Sequence, residues 1–274
     1  MKLPERRVLQ FQNTVLDFYR RQGRNFPWHQ TRDPYAILIS EVMLQQTQAE
    51  RVVPFFKAWM KQFPAVQALT KAPLKEVLLA WQGLGYNRRA LYLKRAAGTI
   101  VRKYGGNIPK SVAEIDALPG IGPYTAGAIA AFAWDLPVAC VETNIRSVYL
   151  HFFFKKRENV RDDEILKIVR KTLPNQVQPY SVREWYNALM DYGAMLKETV
   201  GNPNAKSATY VKHTMFKGSR RELRGEILRR AARKGIVVAS DFKALRSKFS
   251  VANVLADLGA EGFLEKRSER FSLT

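Results

Sequence analysis

Leu118-Pro119-Gly120-Ile121-Gly122-Pro123-Tyr124-Thr125-Ala126 is the stretch from which the rest of the chain is best read. Two glycines flank an aliphatic residue between two segments of helical periodicity. They let the chain turn tightly with its amides uncovered, while Ile121 anchors the turn in a core. The helix that starts near Thr125 then aims its first N–H groups and the positive end of its dipole at whatever docks there, and a phosphate suits that position. Gly127, Ala128, Ala130 and Ala131 keep one face of that helix small, so its partner can approach closely. The bland alternative is a helical turn with a glycine C-cap.

The surrounding chain supports a helical setting. Apolar residues recur at helical spacing over 8–20 and over 37–59, the latter interrupted at Pro54. Shorter helical segments follow at 73–81, 88–103 and 111–117, the last opened by Ser111 with Glu114 three residues on, a capping-box pattern. No convincing alternating strand pattern is present over the first 200 residues or so. The expected fold class is all-α.

Near Gly201 the character changes. Gly201-Asn202-Pro203-Asn204 forms a break, and 201–222 reads as a basic linker. Helices are expected at 224–233, 241–248 and 251–259, then a hairpin around Arg267-Ser268-Glu269. That makes 223–274 a small winged-helix-like domain of three helices and two strands. With 16 Lys/Arg against 7 Asp/Glu in 201–274, the tail suits either a packing role or a role in binding DNA or a partner.

Charge narrows the function classes. The 274 residues carry 45 Lys/Arg and 24 Asp/Glu, a net charge of +21, with 46% hydrophobic residues. Such a chain can bury a full core, and its positive surplus is spread along the length. It points to a polyanion, nucleic acid before an anionic membrane surface. The longest apolar run, 126–134, is far short of the roughly 20 residues that span a bilayer. No hydrophobic region or cleavage site follows the basic start at 1–7. One cysteine, Cys140, leaves no internal disulfide and no cysteine-ligated zinc or iron–sulfur site within one chain. A soluble, cytoplasmic protein, acting as a monomer and not at a membrane, is expected.

The opening turn resembles a helix-hairpin-helix motif, which grips DNA backbone without reading sequence. An acid about 20 residues on, in Val141-Glu142-Thr143-Asn144-Ile145-Arg146, resembles the DNA glycosylase superfamily named for that hairpin. Glu41-Val42-Met43-Leu44-Gln45-Gln46-Thr47-Gln48 is similar to the signature of MutY-type adenine DNA glycosylases. Asn25-Phe26-Pro27-Trp28, Gly83-Leu84-Gly85-Tyr86 and Met190-Asp191-Tyr192-Gly193-Ala194 match as well, in order, over roughly 10–200.

The resemblance implies a two-lobed glycosylase domain over 1–200 and base excision repair chemistry on double-stranded DNA carrying a mispaired or damaged base. By carry-over, Glu41 is the general acid, its pKa raised by apolar neighbours such as Val42, Leu44 and Trp28. Glu142 is the stabilising or nucleophilic carboxylate, and Tyr124 and Asn144 orient the sugar and the carboxylates. Arg146 joins that group or serves as a structural ion-pair partner. Relatives that also nick the strand have a lysine where Tyr124 stands, and a phenol cannot form an imine with the sugar, so no lyase activity is implied. Gln45, Gln46 and Tyr86 would fill the gap left by an extruded nucleotide, although Tyr86 also reads as a core aromatic. Trp28 lines the adenine pocket, Asn187 lies near the base, and Leu118, Gly120, Ile121, Gly122 and Thr125 hold the DNA backbone. Hairpins of this family can also hold a sodium or potassium ion, here on the backbone of Asp116, Leu118 and Ile121.

Three departures stand out. The four cysteines expected after Gly193-Ala194-Met195 are missing from 197–217, so no iron–sulfur cofactor is implied, and basic residues such as Lys206 and Lys212 take over its DNA contacts. The stretch left for a C-terminal domain is shorter than the usual Nudix-like module that checks for 8-oxoguanine. Glu142 replaces the usual Asp, and its extra methylene moves the carboxylate by about 1.5 Å, while a misplacement of 1 Å can cost about a hundredfold in rate. The leading expectation is a monofunctional glycosylase for adenine opposite 8-oxoguanine or guanine. The alternatives are a glycosylase for thymine or uracil opposite guanine, and a weakened lesion-binding protein.

Overall fold

The computed structural model describes residues 3–174, 179–211, 215–242 and 248–274. In chain order the helices are α1 (Glu5–Gln22), α2 (Pro34–Leu44), α3 (Ala49–Gln62), α4 (Val66–Lys71), α5 (Leu74–Ala80), α6 (Arg88–Tyr104) and α7 (Val112–Asp116). They continue with α8 (Pro123–Trp134), α9 (Thr143–Phe153), α10 (Asp162–Thr172), α11 (Val182–Thr199), α12 (Arg220–Lys234) and α13 (Val251–Ala260). Among the described residues three short strands, β1 (Ile236–Val237), β2 (Leu264–Arg267) and β3 (Arg270–Leu273), form one antiparallel sheet in the order β1-β3-β2. The all-α expectation holds, with a small sheet at the C-terminal end. Among the described residues no helix is long and apolar enough to cross a membrane.

The chain packs as two compact units. One comprises Met1–Glu41, Lys110–Ala117 and Ile121–Lys212; the other comprises Val42–Pro109, Leu118–Gly120 and His213–Thr274.

In the first unit, α1 buries Phe11, Val15 and Leu16 and packs against α11. The Phe11 ring meets Tyr149, Phe152, Phe153 and Trp185 edge-on at centroid distances of 4.9–5.4 Å. Burying such a side chain contributes about 1.5–3 kcal/mol. The α9 and α11 backbones come close because position 193 has no side chain: a Cβ on Gly193 would lie 2.3 Å from the Asn144 carbonyl oxygen. The segment after α11 is held by backbone pairing, Val160 N–H to Lys206 O at 3.0 Å and Ala208 N–H to Val160 O at 2.9 Å. Beside it, Arg146 donates in a fork to Asp162 at 2.7 and 2.8 Å and to Asn204 Oδ1 at 3.2 Å. Of the two readings of Arg146, the structure shows the ion pair.

In the second unit, Trp59 packs edge-on against Trp81 and Phe63, with ring centroids 5.5 and 4.9 Å away. The tail belongs to this unit. Its helix α12 packs on α5 as well as on α13 and β1, burying Leu223, Ile227 and Ala231. Glu261, just after α13, accepts two hydrogen bonds from Arg88 at 2.8 and 2.6 Å and two from Arg224 at 2.9 and 2.6 Å. The hairpin falls where the sequence places it, with Arg267 opposite Arg270 and Ser268 in left-handed backbone at φ 58°.

Several expectations change. The break in 37–59 falls at 45–48 and not at Pro54, which sits inside α3, where it removes one i→i−4 hydrogen bond, to the Glu50 carbonyl, without ending the helix. Ser111 does precede α7, but its side chain makes no capping hydrogen bond. The wing has a third strand, β1, too short to leave a periodic signal. Between β1 and α13 a 3-10 turn covers Ala239–Phe242 where a helix over 241–248 was expected; residues 243–247 lie outside those described.

Candidate active site

Glu41 occupies the last turns of α2. Asp33 opens this helix, its carboxylate accepting from the N–H groups of Tyr35 and Ala36 at 3.0 and 3.3 Å. The helix is apolar nearly all round, so Glu41 is carried into a buried setting with 5% of its surface exposed. Its contact with a neighbouring polar side chain is the Tyr124 hydroxyl, which donates to Oε2 from 3.4 Å, the long end for such a bond. Burial, then the nearby negative charge of Glu142, push the Glu41 carboxyl up to about 8, against a small opposing effect from Tyr124.

Glu142 is bound differently. It is the N-cap of α9, and one carboxylate oxygen accepts from the N–H groups of Asn144 and Ile145, both at 2.8 Å. Burial raises its pKa, while these two donors and the Arg146 guanidinium pull it back. A helix N-terminus favours an anion there. Two carboxyls therefore sit in opposite environments, one buried with little support for a charge and one met by backbone donors. That arrangement separates an acid from an anion. The Tyr124 phenol stays protonated, its pKa raised well above the ordinary value first by burial and then by both glutamates.

The segment before α2 is fixed from two sides. Arg24 makes backbone and guanidinium hydrogen bonds to the buried Asp191 at 2.7 and 2.9 Å. Arg183, itself buried, donates to the carbonyls of Trp28, His29 and Phe132 at 3.1, 2.7 and 2.7 Å. Trp28 is held buried and stacked on Phe26 with centroids 5.0 Å apart. Sequence reasoning missed both arginines, because neither looks different from the many other basic residues. Asn187 is buried on α11 and lies against Tyr19.

In the hairpin turn the two glycines do different work. Gly120 has φ +76°, and a Cβ there would lie 2.5 Å from Tyr92 Cβ, so both conformation and space demand glycine. Gly122 is extended and has open space around it. It serves as the N-cap of α8, followed by Pro123 at the first helical position. Leu118, Ile121 and Thr125 are buried.

Gln45, Gln46 and Tyr86 all fall in the second unit, together with Leu118 and Gly120. Gln46 and Tyr86 are exposed non-glycine residues in left-handed backbone, φ 56° and 47°, a conformation that costs about 1 kcal/mol or more and collects at functional sites. Arg89 holds both loops. Its Nη1 donates to the carbonyls of Val42, Met43 and Gln45 at 2.9, 2.8 and 2.6 Å, ending α2. Its Nη2 reaches Thr47 Oγ1, Leu84 O and Gly85 O at 3.2, 3.2 and 3.1 Å. Burial lowers its pKa to about 10. Nothing in the local sequence singled this arginine out.

The residues present do not fit a cysteine-ligated cluster. Cys140 is the one cysteine. It is buried, its N–H donates to Tyr186 Oη at 3.2 Å, and burial pushes its thiol up to about 12. Lys206 Nζ donates to the Lys155 carbonyl at 2.6 Å; Lys212 lies outside the described residues. Among the described residues no group of three or more metal-ligating side chains is present.

A hairpin between helices and two unequal carboxyls, Glu41 before it in the chain and Glu142 after it, define a class. Residues 39–175 match the family described as HhH-GPD superfamily base excision DNA repair protein, and the chain belongs to that family. Among its relatives, the adenine DNA glycosylase of Buchnera aphidicola subsp. Baizongia pistaciae is 37% identical over 190 residues, 69% of this chain and 53% of that protein. The adenine DNA glycosylase of Homo sapiens is 37% identical over 150 residues, 52% of this chain and 28% of that protein. The chain thus spans about half or less of the length of these curated relatives. The solved structure of a thermostable thymine-DNA glycosylase aligns with TM-score 0.61 and 27% identity, over 69% of this chain and 87% of that one. An endonuclease III–DNA complex aligns with TM-score 0.55 and 21% identity, over 72% and 87% of the two chains, a likeness of fold.

Proposed function

We propose that the protein is a monofunctional DNA glycosylase of base excision repair that hydrolyses the N-glycosidic bond of adenine mispaired with 8-oxoguanine or guanine. The observation that carries the reading is the unequal pair of carboxyls, Glu41 buried with a pKa near 8 and Glu142 met by two backbone donors at 2.8 Å. In this scheme Glu41 gives its proton to a ring nitrogen of the extruded adenine. The C1′–N bond breaks with its electron pair going to the base, which leaves neutral. The Glu142 carboxylate stabilises the positive charge that builds at C1′ until water adds there and loses a proton, giving an abasic site. Asn144 and Tyr124 orient the sugar and carboxyls. Trp28 and Asn187 border the base, and Gln45, Gln46 and Tyr86 occupy the gap in the duplex.

Tyr124 supplies no amine for imine formation, so strand nicking is not part of the scheme. No resident cofactor is needed; a sodium or potassium ion on the carbonyls of Asp116, Leu118 and Ile121 would add positive charge for a backbone phosphate. The enzyme would act as a monomer in the cytoplasm on nucleoid DNA. A second reading, thymine or uracil opposite guanine, is favoured by the likeness to a thymine-DNA glycosylase.

Single-turnover excision from duplexes with A:8-oxoguanine, A:G, T:G and U:G, read as alkali-labile sites, tests both. Adenine release from the first two is expected, lost in Glu41→Gln while that variant still binds. Release from T:G or U:G alone would move the assignment to the second reading, and full turnover by Glu41→Gln would remove Glu41 as the acid.

A further inference from the structure

In the second unit a cleft of about 1120 Å³ lies between the loop over 82–89, α5 and the tail helix α12. Among the described residues its charged lining is seven arginines against two glutamates. Every one of these guanidiniums is engaged within the fold. Arg88 and Arg224 bind Glu261, while Arg220 and Arg229 pair with Asp257 and Glu226. Arg51 donates to the Gly83 carbonyl, Arg89 holds the two loops, and Arg221 donates to the Tyr86 hydroxyl at 2.8 Å. The positive surplus suits a nucleic-acid strand, but the arginines themselves serve to shape the cleft.

What the cleft leaves open is of another kind. Leu79, Tyr86 and Phe216 line it with 39%, 41% and 59% of their surfaces exposed. Exposed apolar groups gathered in one concave place indicate a binding surface. Phe216 has no hydroxyl with which to meet water, yet the chain holds it firmly. It starts a turn into α12 in which the Ser219 N–H donates to the Phe216 carbonyl at 3.0 Å. Ser219 Oγ accepts from the Glu222 N–H at 3.3 Å, and the Glu222 carboxylate accepts from the Gly218 N–H at 2.5 Å. The turn needs left-handed backbone at Gly218, φ +75°. Tyr86 is fixed as well, with the Arg89 and Arg221 guanidinium carbons 5.6 and 5.7 Å from the centre of its ring. Two preset rings beside the exposed Gln46 suit an unstacked base, which is planar and uncharged and carries donors and acceptors on its edge.

We propose that this cleft takes the base left unpaired opposite the excised nucleotide, with Phe216 of the tail as a stacking face for it beside Tyr86. The proposal rests on the reading of Gln46 and Tyr86 given under Proposed function. It extends that reading to a part of the chain outside the family match, which ends at residue 175. The Glu261 clamp on Arg88 and Arg224 keeps α12, and with it the Phe216 turn, in register with the Tyr86 loop.

The test is equilibrium binding in a Glu41→Gln background, so that no base is released, to two duplexes. One has adenine opposite guanine, the other adenine opposite a tetrahydrofuran abasic analogue. Phe216→Ala is expected to bind the first about tenfold more weakly and the second within about twofold of its parent, because only the first offers a base to stack. The slope of log K against log salt should not change, since no charge is removed. Phe216→Trp keeps an aromatic face and should restore binding to the guanine duplex. Ile236→Ala, at an exposed apolar residue on β1, is the control for loss of apolar surface and should bind both duplexes as its parent does. Thermal melting would confirm that each variant is folded. Equal losses on the two duplexes, no loss on either, or a Phe216→Trp variant as weak as Phe216→Ala would overturn the proposal. The readout is independent of chemistry. Native protein that excises no base, with the Phe216→Ala loss still confined to the guanine duplex, would sink the glycosylase reading and leave the cleft assignment standing. Native excision with equal losses would do the reverse.

Discussion

Glu41 holds its proton because the fold offers its anion almost nothing. The carboxyl stands near 8 in the fold against 4.5 for an unperturbed glutamate. Between those values the folded chain binds a proton that the unfolded chain has released, so the associated stability is complete below about pH 4.5 and is lost as pH rises through about 8. Two results are expected. Excision should fall about tenfold per unit well above pH 8, as Glu41 loses its proton, and fall again in acid, where Glu142 gains one. Glu41→Gln should melt higher than the native protein at about pH 9, with the gap closing towards about pH 4.5, where both are neutral. Single-turnover rates and melting curves across that range measure both, and an excision rate still level at about pH 10 would rule Glu41 out as the proton donor.

At the scale of the element, the two proposed catalytic carboxyls, Glu41 and Glu142, are each placed near the end of a helix. Glu142 is at once the cap of α9 and the proposed anion, and the two roles can be separated by substitution. Glu142→Ser keeps an N-cap acceptor and should melt within a few tenths of a kcal/mol of native, whereas Glu142→Ala should lose about 1 kcal/mol. Both should lose excision, by about a hundredfold or more. A Glu142→Ser variant excising at the native rate would show that the residue is a cap and nothing further. Arg89 illustrates the same logic at a helix C-terminus. A cation suits the carbonyls that α2 leaves open, and by binding Gln45 O and Gly85 O together it ties two strained loops to one anchor. Gln46 and Tyr86 keep side chains in backbone where glycine is the easier residue, which is understandable when the side chain is what the position is for.

At the scale of the whole molecule, charge and the tail are linked. A net charge of +21 suits a polyanion, but much of the arginine in and around α12 is used within the fold. Glu261 is the centre of that use. The hydrogen bonds from Arg88, then those from Arg224, hold its carboxyl down at about 2 against a burial effect in the other direction. Because the folded value is depressed, the stability it contributes is present above the ordinary glutamate value of 4.5 and is lost as pH falls towards 2. Glu261→Gln should therefore melt lower than native at neutral pH, with a gap that narrows as pH falls below about 4. Amide exchange in α12 and α13 would report it locally. A gap that did not narrow in acid would assign the loss to packing instead of charge.

Residue types and their order were enough to give an all-helical core, the hairpin turn at Leu118–Gly122, the family and the two glutamates proposed to carry the chemistry, because these depend on local periodicity, on turn residues and on motifs that repeat short stretches of chain. Nothing local could separate the two glycines of the turn, since only the approach of Tyr92 makes Gly120 obligatory while Gly122 stands in open space. Nor could it separate one arginine from another. Arg24, Arg89, Arg183 and Arg221 read alike in a chain so rich in basic residues, and only the fold brings them to Asp191, to the carbonyls around Gln45 and Trp28, and to Tyr86. The unequal environments of Glu41 and Glu142 are likewise tertiary. A carboxyl's affinity for its proton is set by the water it loses and the donors it meets, and both come from segments distant in sequence.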